Sequence, residues 1–345
     1  MLDYILVGFG LSGLAFAEQL AQEGKTFKVY ENYSQKSSRV AGGLFNPVVL
    51  KRFTPAWDAY EHMKTAIPFY KKLEEKLDFK IVYDLPVLRR FNSVEEQNLW
   101  FEACDKPILS SLLSPELLKN TNTSIYAPFH YGKVNNTGRI AIKDLLKKYL
   151  DNLRDRDMLV EESFEYDSLQ FNASGVVYNG LQAKHIVFAE GFGVHKNPFF
   201  NHLPIPGNKG EYLIIESTEL QLETAIKASI FIIPLGNNLY KVGATYNPND
   251  KTETITVSSK KIIEDKLKVF LKSNYRIFNQ EAGIRPTVPD RKPILGTHPD
   301  YNAIHILNGL GSRGILTGPT VAKQLYRHIE YNEPLDPLLS IDRFN

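Results

Sequence analysis

The chain has 345 residues, 43% of them hydrophobic and 12% aromatic, which excludes a disordered or fibrous protein and allows two domains. Its 41 basic and 39 acidic side chains leave a net charge of +2, so bulk charge gives no electrostatic footprint for nucleic acid. The single cysteine, Cys104, excludes an intrachain disulfide and a cysteine-built metal site, and fits a reducing, cytoplasmic setting.

The apolar run at residues 3–7 predicts a buried parallel strand. It is too short, and too poor in basic residues, to read as an export leader. No apolar stretch is long enough to span a bilayer. A glycine turn follows, Gly8-Phe9-Gly10-Leu11-Ser12-Gly13. Leu14, Ala15, Ala17, Leu20 and Ala21 then recur at helical spacing, Gly24 ends the helix, and Phe27 to Tyr30 is the next strand. Residues 34–50 read as a loop. Helices are predicted at about 56–77 and 93–104, with strand material from Lys80 to Arg90 between them, and another helix over 137–153 after Gly138. Short alternating segments at 163–169 and 175–178 precede a buried strand, His185 to Ala189. From Gly210 to Tyr246 strands dominate (211–215, 229–233, 240–243), and 258–272 has helical spacing. The chain closes as it opened: a strand at 303–307, a second glycine cluster, Gly309-Leu310-Gly311-Ser312-Arg313-Gly314, and a helix through Val321 to Ile329.

This pattern predicts an α/β chain of two domains. A nucleotide-binding domain is assembled from residues 1–50, 135–200 and 280–345. A mixed-sheet substrate domain is built from 51–134 and 201–279. In the first turn, Gly8 permits the tight bend, Gly10 lets backbone approach a pyrophosphate, and Gly13 lets helix and strand pack closely. Glu31, at the end of the second strand, stands where an acid binds ribose hydroxyls. Each strand–glycine–helix junction aims N–H groups and the positive end of a helix at negative charge. Two junctions so far apart in sequence suggest one long cofactor held at both ends. The fingerprint by itself does not separate NAD from FAD.

Several blocks together resemble the D-amino acid oxidase, glycine oxidase and sarcosine oxidase family of flavoenzymes. They are the first glycine turn, Ala41-Gly42-Gly43-Leu44-Phe45-Asn46-Pro47, Ile186 to Gly191, Phe231-Ile232-Ile233-Pro234 with Val242-Gly243-Ala244-Thr245, Gly283 to Gly296, and the second glycine cluster. Residues 51–130 match poorly. The closing segments, Gly318-Pro319, Glu333-Pro334-Leu335 and Asp342-Arg343-Phe344, are similar to the oxidase half of a bifunctional tRNA wobble-uridine modification enzyme.

The resemblance implies a Rossmann-like FAD-binding domain and oxidation of the C–N bond of an amino acid or N-substituted glycine, with oxygen or another electron acceptor taking the electrons. A tRNA substrate is the alternative, with Lys51, Arg52, Arg89, Arg90 and Arg313 as candidates for a basic rim. It also implies that Ser38, Arg39, Gly42 and Gly43 run beside the pyrophosphate and flavin. The backbone at Val160 would face the adenine, and Gly191 would pack on the cofactor, with Glu190 replacing the small residue usual there. N–H groups of Gly311, Ser312, Arg313, Gly314 and Ile315 would stabilise negative charge on the reduced flavin. No cysteine stands near Ile284, so the FAD is expected to be non-covalent. Arg285 occupies the position of an arginine that binds the substrate carboxylate through two parallel hydrogen bonds and so aligns Cα–H with flavin N5 for hydride transfer; a structural pairing with Asp290 or with a flavin edge is the competing role. Lys51 and Arg52 are candidates for a second anionic group or for assisting oxygen. Tyr246, Tyr240 and Tyr212 are candidates either for the pocket or for the core. The histidines show no ligand spacing, and no metal is expected.

Overall fold

The computed structural model describes residues 1–344, and two eight-stranded sheets dominate it. In the first, five parallel strands lie side by side in the order Leu159–Val160, Phe27–Tyr30, Leu2–Val7, Leu181–Phe188 and Tyr301–Asn308. Their central residues are buried, as the near-continuous apolar runs of strands covered on both faces require. The helices Leu11–Gln22 and Gly314–Tyr331 share one hydrophobic cluster through Leu14, Ala15, Val321 and Leu325. The hairpin Leu169–Asn172/Gly175–Tyr178 extends the sheet on its other side.

The second sheet runs in the order Arg276–Arg285, Asn208–Glu216, Leu239–Gly243, Phe231–Gly236, Ala225–Lys227, Val87–Arg90, Tyr131–Val134, Leu113–Leu118. Its far face packs Leu213, Ile215, Ile232 and Val242 against Ile263 and Leu267 of the helix Val257–Lys268. Its near face looks toward the edge of the first sheet. We propose that the two sheets mark the two domains, with the Arg276–Arg285 strand carrying the chain across residue 280 from one to the other.

Most predicted elements stand within a few residues of their expected ends, including the helices Ala59–Leu77 and Val94–Cys104. The helix predicted over 137–153 differs. Gly138–Ile140 is instead a strand between Leu44–Phe45 and Val82–Asp84, and the helix spans Ile142–Asp155. A Cβ on Gly138 would fall 2.4 Å from the Phe45 ring, so this glycine serves close strand packing and not helix initiation. Within the loop at 34–50, Leu44–Phe45 and Val48–Val49 form two-residue strands. Among the described residues no helix is long and apolar enough to cross a membrane.

The strand Tyr301–Asn308 also carries His305 into the first sheet's interior. Its Nε2 lies 3.1 Å from His185 Nδ1, and its Nδ1 lies 2.9 Å from Thr297 Oγ1. Thr297 Oγ1 is in turn 3.3 Å from His328 Nε2. Burial, reinforced by the neighbouring His185 and His328, pushes His305 well below the ordinary imidazole value of 6.5, and burial lowers His185 as well. The unfolded chain therefore takes up these protons before the folded one does, so stability falls as pH drops below 6.5. Thermal unfolding is expected at a lower temperature at pH 5 than at pH 7.5, by roughly 2–4 °C for each ~1 kcal/mol of linkage. His305→Asn should flatten that dependence; an equal slope in the variant would refute the assignment.

Candidate active site

The strands Leu2–Val7 and Tyr301–Asn308 both pair in parallel with Leu181–Phe188, one on each side. Their C-terminal ends, and the glycine turns that follow, therefore open on the same sheet edge about 10 Å apart, two strand spacings. Both turns line one cavity of about 1370 Å³ that continues beneath the near face of the second sheet. This exceeds the roughly 300–1,000 Å³ of an ordinary small-molecule pocket and leaves room for a dinucleotide and a substrate together.

At the first turn Gly8, Gly10, Leu11 and Ser12 line the cavity. Gly8 has φ +93°, and a Cβ there would lie 2.7 Å from the Ala189 carbonyl oxygen. Gly13 does not line the cavity; its hydrogen faces the Gly8 carbonyl, 2.1 Å from where a Cβ would sit, so it sets helix against strand. Ser38 Oγ accepts from the Leu11 N–H at 3.1 Å, at the mouth of the Leu11–Gln22 helix. Glu31 lines the cavity, and its carboxylate accepts the N–H groups of Phe9 and Tyr33. Arg39, expected beside the pyrophosphate, does not line the cavity: its Nη2 lies 3.6 Å from Glu31, and the guanidinium stacks on the Tyr33 ring at 4.7 Å. Val160 also stays out, because its carbonyl accepts the Glu31 N–H at 3.0 Å; Glu162 to Tyr166, just beyond, line the wall. Gly191 lines it too, with its carbonyl held by the Asn308 amide at 2.8 Å. Glu190 is half-buried, accepting from the Tyr166 hydroxyl and the Asn197 amide, and desolvation pushes its carboxyl up to about 7.

At the second turn Gly311, Ser312, Arg313, Gly314 and Ile315 all line the cavity. The Gly311 N–H is spent on the Pro286 carbonyl and that of Arg313 on the Leu310 carbonyl. The N–H groups of Ser312, Gly314 and Ile315 remain at the open start of the Gly314–Tyr331 helix, where first-turn donors have no intrahelical acceptor. The Arg313 side chain reaches Asn46 O at 3.2 Å and so braces the loop carrying Gly42 and Gly43, both of which line the cavity.

The second sheet supplies the remaining wall. Arg285 lies flat over Gly210: a Cβ there would stand 2.1 Å from Nη2 and 2.4 Å from Cζ. Among the described residues its guanidinium has no hydrogen-bond or ion-pair partner. Asp290 pairs with Arg343 instead, at 3.0 Å, so it is not the partner of Arg285. Tyr212 and Tyr246 line the cavity, Tyr246 being 75% exposed, whereas Tyr240 belongs to the far-side core. Lys51 and Arg52 line the mouth. Arg89 and Arg90, expected on a basic rim, are only 8% and 5% exposed, and Arg89 pairs with Glu96. Among the lining residues that sequence reasoning did not single out are Lys227 and Asn208. Both atoms of the Asn208 side-chain amide are buried without a partner. Neither stands in a motif; only strand register brings them to this face.

Glycine-bared backbone at one turn, free helix donors at the other and a buried orphan amide on the second-sheet wall fit an extended dinucleotide with an anionic end. The sequence profile of the family described as "DAO: FAD dependent oxidoreductase" matches residues 3–327. The bifunctional tRNA 5-methylaminomethyl-2-thiouridine biosynthesis protein MnmC of Legionella pneumophila is 24% identical over 93% of this chain. The match covers 53% of that protein, so the chain spans about half its length. Glycine oxidase of Bacillus subtilis is 30% identical over 171 residues, 47% of this chain and 46% of that one. The crystal structure of glycine oxidase from Bacillus cereus superposes with a TM-score of 0.82 at 19% identity, covering 98% of this chain and 99% of that one, a likeness of fold.

Gly13→Ala is expected to force the helix off the turn without touching any ligand. Overpacking of this kind costs about 1–3 kcal/mol, and the apoprotein should bind its dinucleotide at least about tenfold more weakly, read by fluorescence titration.

Proposed function

Because the chain belongs to the FAD dependent oxidoreductase family, we propose that it oxidises the C–N bond of an amino acid or N-substituted glycine. FAD is its cofactor, and when bound it supplies the two-electron acceptor. The turn at Gly8 to Ser12, with Ser38, would hold the pyrophosphate, and Glu31 the ribose hydroxyls. The free N–H groups of Ser312, Gly314 and Ile315 would hold the far end, where a helix N-terminus favours added negative charge. Arg39 acts through Glu31, holding the carboxylate in place.

The observation that carries this reading is the unpartnered Arg285 guanidinium, spread over Gly210 on the cavity wall. A planar cation so placed receives a carboxylate through two parallel hydrogen bonds. The amine substrate loses two electrons and two protons to become an imine, and water converts the imine to a carbonyl compound and a free amine. Among the described residues no carboxylate or imidazole contacts Arg285 on this wall, and an amine that binds neutral needs no general base. We propose that the FAD is held non-covalently, since Cys104 is buried with Trp100 and Leu109, away from the cavity.

A second reading is oxidation of a carboxymethylaminomethyl group on a tRNA wobble uridine. That group is itself an N-substituted glycine, so Arg285 would serve it equally, and Lys51 and Arg52 at the mouth favour a polyanionic carrier.

Anaerobic bleaching of the bound flavin by D-amino acids, glycine and N-alkyl glycines tests the first reading; no bleaching by any member would count against it. Arg285→Ala should raise the substrate dissociation constant at least tenfold with flavin content unchanged. The yellow colour should stay in the supernatant after acid precipitation. Lack of binding to bulk tRNA at low salt, where phosphate contacts are strongest, removes the second reading.

A further inference from the structure

The charges around the cavity are unevenly distributed. Its carboxylates gather near the first glycine turn, as Glu31, Glu162, Glu165 and Glu190, while its cations are spread more widely: Lys51, Arg52, Lys227 and Arg285 stand toward the second sheet, and Lys196, Arg291, Lys292 and Arg313 line other parts of the wall. Among the described residues the one lining carboxylate outside the first group, Asp290, is taken by Arg343. On the same sheet face the cavity's neighbour Lys241 is neutralised by Glu281 at 2.6 Å. Lys227 has no such partner among the described residues: its Nζ donates to the Ser229 carbonyl at 3.1 Å and sits 4.8 Å from the centre of the Phe231 ring. Burial, followed by the charges of Arg89, Lys266 and Lys51, pushes its ammonium down to about 8. A half-buried cation facing further cations is a costly arrangement that an incoming anion would relieve.

Strand register gives the distance. Lys227 pairs with Phe231, Phe231 with Gly243, and Gly243 with Tyr212, two residues along the strand from Gly210. Three strand spacings sideways and two residues lengthways put the Lys227 backbone on the order of 15 Å from the Arg285 guanidinium. We propose that Lys227, with Lys51 and Arg52, forms a second anion site in this cavity, one that reads a phosphate or carboxylate at the far end of an extended substrate. With the lysine side chain reaching inward, the two anions of that substrate lie on the order of 10–15 Å apart, too far for a compact dicarboxylate to bridge. This rests on the reading of Arg285 as the carboxylate anchor. It adds that free glycine or sarcosine fills only one end of the site.

Unreactive ethers separate this proposal from the oxidase reading. Hexyloxyacetate and its two analogues ending in a carboxylate or a phosphate all carry the glycine-like carboxylate but cannot be oxidised at nitrogen. Their dissociation constants for the holoenzyme are read from the shift in flavin absorbance and checked by calorimetry. At least one charged tail should bind tenfold or more tighter than the neutral one, and the arm that gains tells phosphate from carboxylate. In Lys227→Met that ratio should fall to about one. Lys51→Met should lower it too, which covers the case of Lys227→Met failing to fold, and raising salt should weaken only the charged-tail ligands. Lys147→Met, an equal loss of charge at an exposed position on the Ile142–Asp155 helix, should leave the ratio intact. Equal affinity for all three tails, no binding of any, or a ratio unmoved in both Lys227→Met and Lys51→Met would overturn the proposal. If Arg285→Ala leaves all three affinities intact while the tail ratio persists, the anchor reading fails and the second anion site stands.

Discussion

Everything in this site follows from one pairing. The strand Leu181–Phe188 accepts Leu2–Val7 on one side and Tyr301–Asn308 on the other, all parallel. Parallel strands end on the same edge, so residues some three hundred positions apart deliver two helix N-termini to one cavity. Had either strand entered antiparallel, its turn would open on the opposite edge and no ligand could reach both. The glycines are consequences of that geometry: Gly8 removes a side chain that would strike the Ala189 carbonyl just beyond the neighbouring strand, and Gly13 one that would push the helix off the turn.

The second sheet answers this edge with a wall built by subtraction. Gly210 gives up its side chain so that Arg285 can lie flat across it. The far face of the same strands is a closed aliphatic core with the Val257–Lys268 helix. That core holds the strands in place, and so lets the near face keep cations, Arg285 and Lys227, that no carboxylate among the described residues neutralises. An unneutralised charge is tolerated in a folded chain where the fold over-determines its position, and it is then available to a ligand.

The acidic and basic ends of the cavity carry different chemistry. Near the first turn carboxylates are tied to backbone donors and hydroxyls: Glu31 to Phe9 and Tyr33, Glu190 to Tyr166. These bonds order that part of the wall. At the other end no carboxylate among the described residues pairs with Arg285 or Lys227, whose ammonium meets only the Ser229 carbonyl and the Phe231 ring.

The strands at 3–7 and 303–307, the glycine turns and the helices after them were legible in the sequence, because apolar runs and glycine spacing are local signals. Membership of the family was legible in short motifs for the same reason. The sequence also placed Arg285, but it left open whether Asp290 would take that charge. Only the tertiary structure decided this, by giving Asp290 to Arg343. It likewise turned Arg39 inward to Glu31, moved Gly138 into a strand and buried Arg89 and Arg90. Lys227 and Asn208 carry no sequence signature at all. A residue's local pattern fixes which element it joins, but which face of a sheet it shares, and with which distant charge, is set by strand register and by what packs across it.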